Sequence, residues 1–167
     1  LLHYGYAEPT VQGGGLRVRR NLGLLEAAVA ASPEDPYLHY QLGLTCKAAG
    51  DDARARHHLH RALALDDATL HEDVRTTLFT KLAQLALAAD RYDEAGTWAE
   101  RSLALAPGDV VALYVAALSH LFLGRIPEAH PLLVRARQEP SCSPAGRAQL
   151  DQVLRFCEAH PHPHETA

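Results

Sequence analysis

Leu42-Gly43-Leu44-Thr45-Cys46-Lys47-Ala48-Ala49-Gly50-Asp51-Asp52-Ala53-Arg54-Ala55, with its Ala- and Leu-rich continuation to Leu65, decides the fold. It reads as a helix, a tight turn at Gly50-Asp51-Asp52 and a second helix returning along the first, because apolar residues recur at helical spacing on both sides of a Gly/Asp turn. The turn and the returning helix occur twice more. Ala55, Ala95 and Ala129 are equivalent, as are Ala62, Ser102 and Ala136, at offsets of 40 and then 34 residues in both sets. Small residues thus stand where two helices must touch.

Outward from this stretch, the first repeat spans 36–69, with His39, Leu42, Gly43 and Cys46 on the inner stripe of its leading helix and Ala55, Leu59 and Ala62 facing them. The second spans 76–109, pairing Phe79, Leu82, Ala83 and Ala86 with Ala95, Ala99 and Ser102, and Pro107-Gly108 stops it. The third spans 110–139, where Leu113, Ala116, Ala117 and His120 meet Ala129, Leu133 and Ala136. Pro127 and Pro131 fall near the start of its second helix, where proline costs least. The six extra residues ahead of the second repeat, Leu70 to Arg75, are assigned to a longer leading helix. Residues 144–159 carry Leu150, Val153, Leu154 and Cys157 on one stripe, the lid that a solenoid's last repeat requires. The tail 160–167 is expected to be extended and mobile.

Upstream, Val18, Leu22, Leu25 and Val29 mark an N-terminal helix within 16–35, ended by Ser32-Pro33-Glu34-Asp35-Pro36. Residues 1–15 close on Gly13-Gly14-Gly15, a run that disfavours regular structure and reads as a loop or hinge. A period of about 34 residues with small residues at the helix crossings resembles the tetratricopeptide repeat. The resemblance implies an all-α, right-handed α-solenoid of helix-turn-helix repeats with a C-terminal capping helix.

Composition agrees. Of 167 residues, 47% are apolar and 22% charged, as in a folded domain, and the scarcity of aromatics (6%) beside abundant Ala and Leu favours helix over sheet. A net charge of −4 provides no general attraction for nucleic acid or anionic membrane. Cys46, Cys142 and Cys157 are odd in number and lack zinc-type spacing, which suits a reducing cytoplasm. The most apolar stretch, Val110 to Leu123, falls short of the ~20 residues that span a bilayer.

Chemistry-bearing residues are sparse. His57 and His60 have the helical spacing of a ligand pair, but no carboxylate or Cys completes a set, so His57, His58 and His60 read as solvated surface on an exposed helix. Whether they or the His-rich tail hold a metal stays open. Cys46 reads as core. No nucleophile–base order, phosphate-cradling loop or D-x-D pair is present, so no catalytic centre is assigned to these residues. The leading helices line the concave face of such an array. That places Tyr37, Tyr40, Leu44 and Lys47 beside Thr77, Thr80, Gln84 and Leu87, then Val111, Tyr114, Leu118 and Leu121. With Lys47 and Lys81 as the only nearby lysines, a terminal carboxylate would be poorly held, and an apolar surface is the better partner.

His3-Tyr4-Gly5-Tyr6, followed by Arg20-Asn21-Leu22, Pro33-Glu34-Asp35-Pro36 and Leu42-Gly43, resembles the join in bacterial family 2 glycosyltransferases between the end of the catalytic domain and tetratricopeptide repeats. The triple glycine departs from that pattern, and the catalytic domain is absent. The resemblance covers the first forty-five residues or so and implies that 1–15 end a catalytic domain. It also implies that His3 completes the shell of a divalent metal on the diphosphate of a nucleotide-sugar, with Tyr4 and Tyr6 flanking the donor. Both cofactors would belong to the parent enzyme and none to this chain. Two function classes follow. One is a scaffold serving an attached glycosyltransferase, holding an acceptor protein, its own catalytic domain or a second copy of the chain. The other is a free-standing adaptor for a protein or peptide.

Overall fold

In the computed structural model, which describes residues 14–160, the chain is helical throughout its regular structure, with no strand among the described residues. The helices are α1 Gly14–Ala31, α2 Pro36–Ala48, α3 Asp52–Leu65, α4 Glu72–Ala88, α5 Tyr92–Leu105, α6 Val110–Phe122, α7 Ile126–Gln138 and α8 Pro144–Ala159. The described residues fall into two compact units that divide between Asp67 and Ala68.

Most helices begin where an acceptor side chain satisfies the first free amides. Asp35 Oδ1 accepts from the amides of Tyr37 (2.8 Å) and Leu38 (3.1 Å), with Pro36 in the first turn of α2. Asp109 does the same for Val111 (2.9 Å) and Ala112 (3.2 Å). Ser143 accepts from Gly146 N at 3.0 Å, again ahead of a proline. The longer leading helix expected of the second repeat is present, since α4 has 17 residues where α2 and α6 have 13.

All three hairpins turn in one way. A backbone bond closes each leading helix five residues back, Asp51 N to Cys46 O (3.0 Å), Arg91 N to Ala86 O (2.9 Å) and Arg125 N to His120 O (2.8 Å). The residue ahead of each donor is left-handed: Gly50 at φ 80°, Asp90 at φ 56° and Gly124 at φ 73°. Glycine adopts this at no steric cost, whereas Asp90 pays for its Cβ.

In the first unit, α2 and α3 close over Leu42, Cys46, Ala55, Leu59 and Ala62, all buried. A Cβ on Gly43 would stand 2.8 Å from Leu59 Cγ and 3.2 Å from Leu59 N, so only glycine permits this crossing. α1 packs on α2, with Val18, Leu22, Leu25 and Val29 half-buried, and none of its residues from 15 to 31 is fully buried. In the second unit, Val115 and Ala116 of α6 close on Ala83, Ala86, Ala95 and Ala99. α8 seals the end by setting Leu150, Val153, Leu154 and Cys157 against Leu113, Leu118, Leu133 and Ala136.

Two expectations are corrected. α1 starts at Gly14, inside the triple glycine. The roughly 1 kcal/mol that a helical glycine costs is outweighed by the Leu- and Arg-rich helix that follows. Pro131 lies in the interior of α7 rather than near its start. It removes one donor, leaving the carbonyl four residues back without its helical partner, and its exposed ring tolerates this on the solvent side. Among the described residues, no helix is long and apolar enough to cross a membrane.

Candidate functional site

The candidate face of the first unit lies on α2. Tyr37 is exposed, its ring 5.9 Å from that of Tyr40, and its hydroxyl accepts from Gln41 Nε2 at 2.8 Å. Leu44 and Lys47 follow, half-buried. Tyr40 is only 7% exposed and belongs to the interior.

The candidate face of the second unit is made by α4 and α6, which touch directly. Thr77, Gln84, Leu87, Val111, Tyr114 and Leu121 are half-buried there. Thr77 Oγ1 donates to Asp73 O at 2.9 Å within its own helix. Tyr114 is held from α8, whose Gln149 Nε2 donates to the phenol oxygen at 3.0 Å. Leu118 is buried in the core, and so is Thr80. The Thr80 hydroxyl lies 2.7 Å from Ser102 Oγ and donates to Asp109 Oδ2, also at 2.7 Å. Since Asp109 caps α6 with its other oxygen, this buried network ties α4, α5 and the start of α6 together. Thr80 therefore works inside the unit rather than on its face.

The histidines differ from the sequence reading. His57 is exposed, but His58 is half-buried and turns inward, its Nδ1 3.0 Å from Nδ1 of the buried His39. Periodicity does not reveal this, because His57, His58 and His60 bracket Leu59 without pattern. The repeat frame does, since His39 and His58 stand where the next hairpin places Phe79 and Trp98. Burial, followed by the charges of His39, His57 and Arg54, pushes His58 down from 6.5 to about 4. Burial likewise pushes the Cys46 and Cys157 thiols up, away from the reactive thiolate. Among the described residues, no group of three or more His, Cys, Asp or Glu side chains is placed to hold a metal ion. His3, Tyr4 and Tyr6 lie outside the described residues, as does the tail from 161 onward.

Two further features had no sequence signal. The rings of Tyr92 and Phe122 stack at 4.7 Å, with Phe122 half exposed. Arg91 Nε and Nη2 and His120 Nδ1 are buried without a hydrogen-bond partner, and Arg91 Nη1 meets Glu94 at 2.8 Å.

No family model matches the chain, and no curated protein matches it either. Solved structures do. The crystal structure of YrrB, a TPR protein with an unusual peptide-binding site, superposes with a TM-score of 0.73 at 16% identity, covering 92% of this chain and 74% of that one. Yeast Tom70 gives 0.73 at 18% identity, over 83% of this chain and 29% of its own. A MamA crystal structure gives 0.63 at 20% identity, over 73% of this chain. The chain spans 63% of that MamA chain and less than a third of Tom70. At these identities the likeness is one of fold, and it places the chain in the all-α class of tetratricopeptide solenoids.

Proposed function

We propose that the chain is a protein-interaction module that binds an apolar helix or an adjacent protein surface through the faces of its leading helices. The observation that carries this reading is the paired face of α4 and α6. Half-buried Leu87, Val111, Tyr114 and Leu121 form an aliphatic and aromatic surface there, while the other sides of both helices are committed to the core. Tyr37, Leu44 and Lys47 supply the corresponding face of the first unit. Tyr40, Thr80 and Leu118 support these faces from beneath. The fold shared with YrrB, whose described function includes peptide binding, favours a peptide or protein partner over a small molecule.

Selection from a peptide library displayed both as free C-terminal tails and as internal helices tests the reading. Apolar helices are expected to be selected, and Tyr114→Ala to lose them with its helix content intact. Selection of free acidic tails, or equal retention by Tyr114→Ala, would overturn it.

The finer proposal is that the module serves glycosyl transfer, docking an acceptor protein, a second copy or its own catalytic domain. Its support is the His3-Tyr4-Gly5-Tyr6 segment and the residues that follow it. The coding sequence upstream of Leu1 tests this: a domain carrying a D-x-D pair is expected, and an unrelated domain or a start codon leaves only the adaptor.

A further inference from the structure

The first hairpin holds a pair of histidine rings where the other two have none. Nδ1 of His39 on α2 and Nδ1 of His58 on α3 are 3.0 Å apart, with ring centroids at 5.3 Å and planes tilted by 30°. His39 is only 6% exposed, and its other nitrogen, Nε2, lies 3.0 Å from the carbonyl oxygen of Pro33. A carbonyl only accepts, so Nε2 of His39 carries a hydrogen, and Nδ1 of the neutral ring is bare. His58 must then donate through its own Nδ1–H. The chain from His58 to His39 to Pro33 O links α3, α2 and the loop before α2 in a single tautomeric arrangement.

One added proton on Nε2 of His58 breaks neither bond, but it puts a charge on a half-buried ring beside positive neighbours, which the folded state disfavours. A second has no place. It would occupy His39 Nδ1, set N–H against N–H at 3.0 Å, and put two positive charges on touching rings. At the equivalent places the second hairpin carries Phe79 and Trp98, stacked at 5.9 Å, and the third carries Leu113 and Leu132. Neither pair can titrate.

We propose that the His39–His58 pair is a proton-sensitive latch on the first unit. While neutral it fastens α3 to α2 and to the loop at Pro33; mildly acidic pH releases it and loosens α2–α3, leaving α4–α5 unaffected.

The surrounding charges do not cancel the effect. His57 lies edge-on to His58 at 5.0 Å, and Arg54 adds a further positive charge on α3. Glu26 of α1, the carboxylate that favours a protonated His58, is already paired with Arg54, which also faces Asp51. Glu34 is held by Arg61 at 2.7 Å, and Asp35 caps α2. Burial and the neighbouring positive groups act in the same direction on His58, bringing it to about 4. An unfolded histidine takes up its proton near 6.5. The folded state therefore binds fewer protons than the unfolded one between these values. Stability of the first unit is complete above about pH 6.5 and is lost as pH falls toward 4.

Hydrogen exchange on the whole chain, corrected for intrinsic rates, tests the proposal. Opening of the α2–α3 amides is expected to rise by up to about tenfold per pH unit below 6.5, the slope for one proton. In the same molecules α4–α5 should change less than twofold. The double variant His39→Phe with His58→Trp should flatten the α2–α3 response. Since repacking in that variant would also alter the response, ring titration of the unchanged chain by NMR provides an independent reading. One ring of the pair is expected to stay neutral below pH 5, while the chain unfolded in urea titrates near 6.5. Both rings titrating near 6.5 in the folded chain, or equal loss of protection in the two hairpins, would overturn the latch.

Discussion

Hairpins α2–α3 and α4–α5 share a frame but fill it differently. Both turn through a left-handed residue, Gly50 or Asp90, closed by the same backbone bond, and both set small residues at 55/95 and 62/102. At the central crossing they part. The first opposes Gly43 to Leu59 and the second sets Ala83 and Ala99 in one core, so the crossing is filled once by glycine against a large side chain and once by two methyl groups. Above the crossing, a hydrogen-bonded histidine pair replaces a stacked Phe–Trp pair. The frame therefore constrains the summed volume at the crossing and leaves side-chain chemistry free, which is how one hairpin becomes titratable without a change of fold.

Exchanging crossing residues breaks this comparison most sharply. Leu59→Ala should cost about 2–5 kcal/mol, since it leaves a cavity against Gly43. Gly43→Ala should cost about 1–3 kcal/mol by overpacking on Leu59. The double variant, which copies the second hairpin, should be less destabilised than Leu59→Ala alone. Urea unfolding of the three variants measures this, and additive losses would contradict the volume argument.

Ser102→Ala makes the second hairpin resemble the others, which carry Ala62 and Ala136. Thr80 keeps its 2.7 Å bond to Asp109, so the expected loss is only about 1 kcal/mol. A loss beyond 3 kcal/mol would mean that Ser102 carries the network rather than joins it.

Asp90→Gly should have the smallest effect, a gain of about 0.5–1 kcal/mol from relief of the left-handed backbone. The exposed bond that Tyr92 donates to the Asp90 carboxylate is lost in exchange. A lower melting temperature would show that this bond outweighs the backbone relief.

The hairpins were legible in the sequence because helical periodicity, Gly/Asp turns and recurring small residues all report backbone geometry. Asp35, Asp109 and the prolines after Asp35 and Ser143 mark helix starts for the same reason. The start of α1 was not legible, because the cost of Gly14 is local whereas the helix is decided along its whole length. The faces were legible only in part. Tyr40, Thr80 and Leu118 fall at outward positions by spacing, yet depth depends on how many neighbours pack around a helix, and α6 has buried residues on most of its circumference. The inward turn of His58 was hidden because histidine suits both surface and interior. Only its equivalence to Trp98 reveals it.

The interaction face is tested most directly by NMR mapping of a selected apolar helix onto the labelled chain. Shifts centred on Thr77, Gln84, Val111, Tyr114 and Leu121 are the predicted result. Shifts centred instead on the outer sides of the returning helices, at Glu100, Arg101 or Arg137, would contradict it.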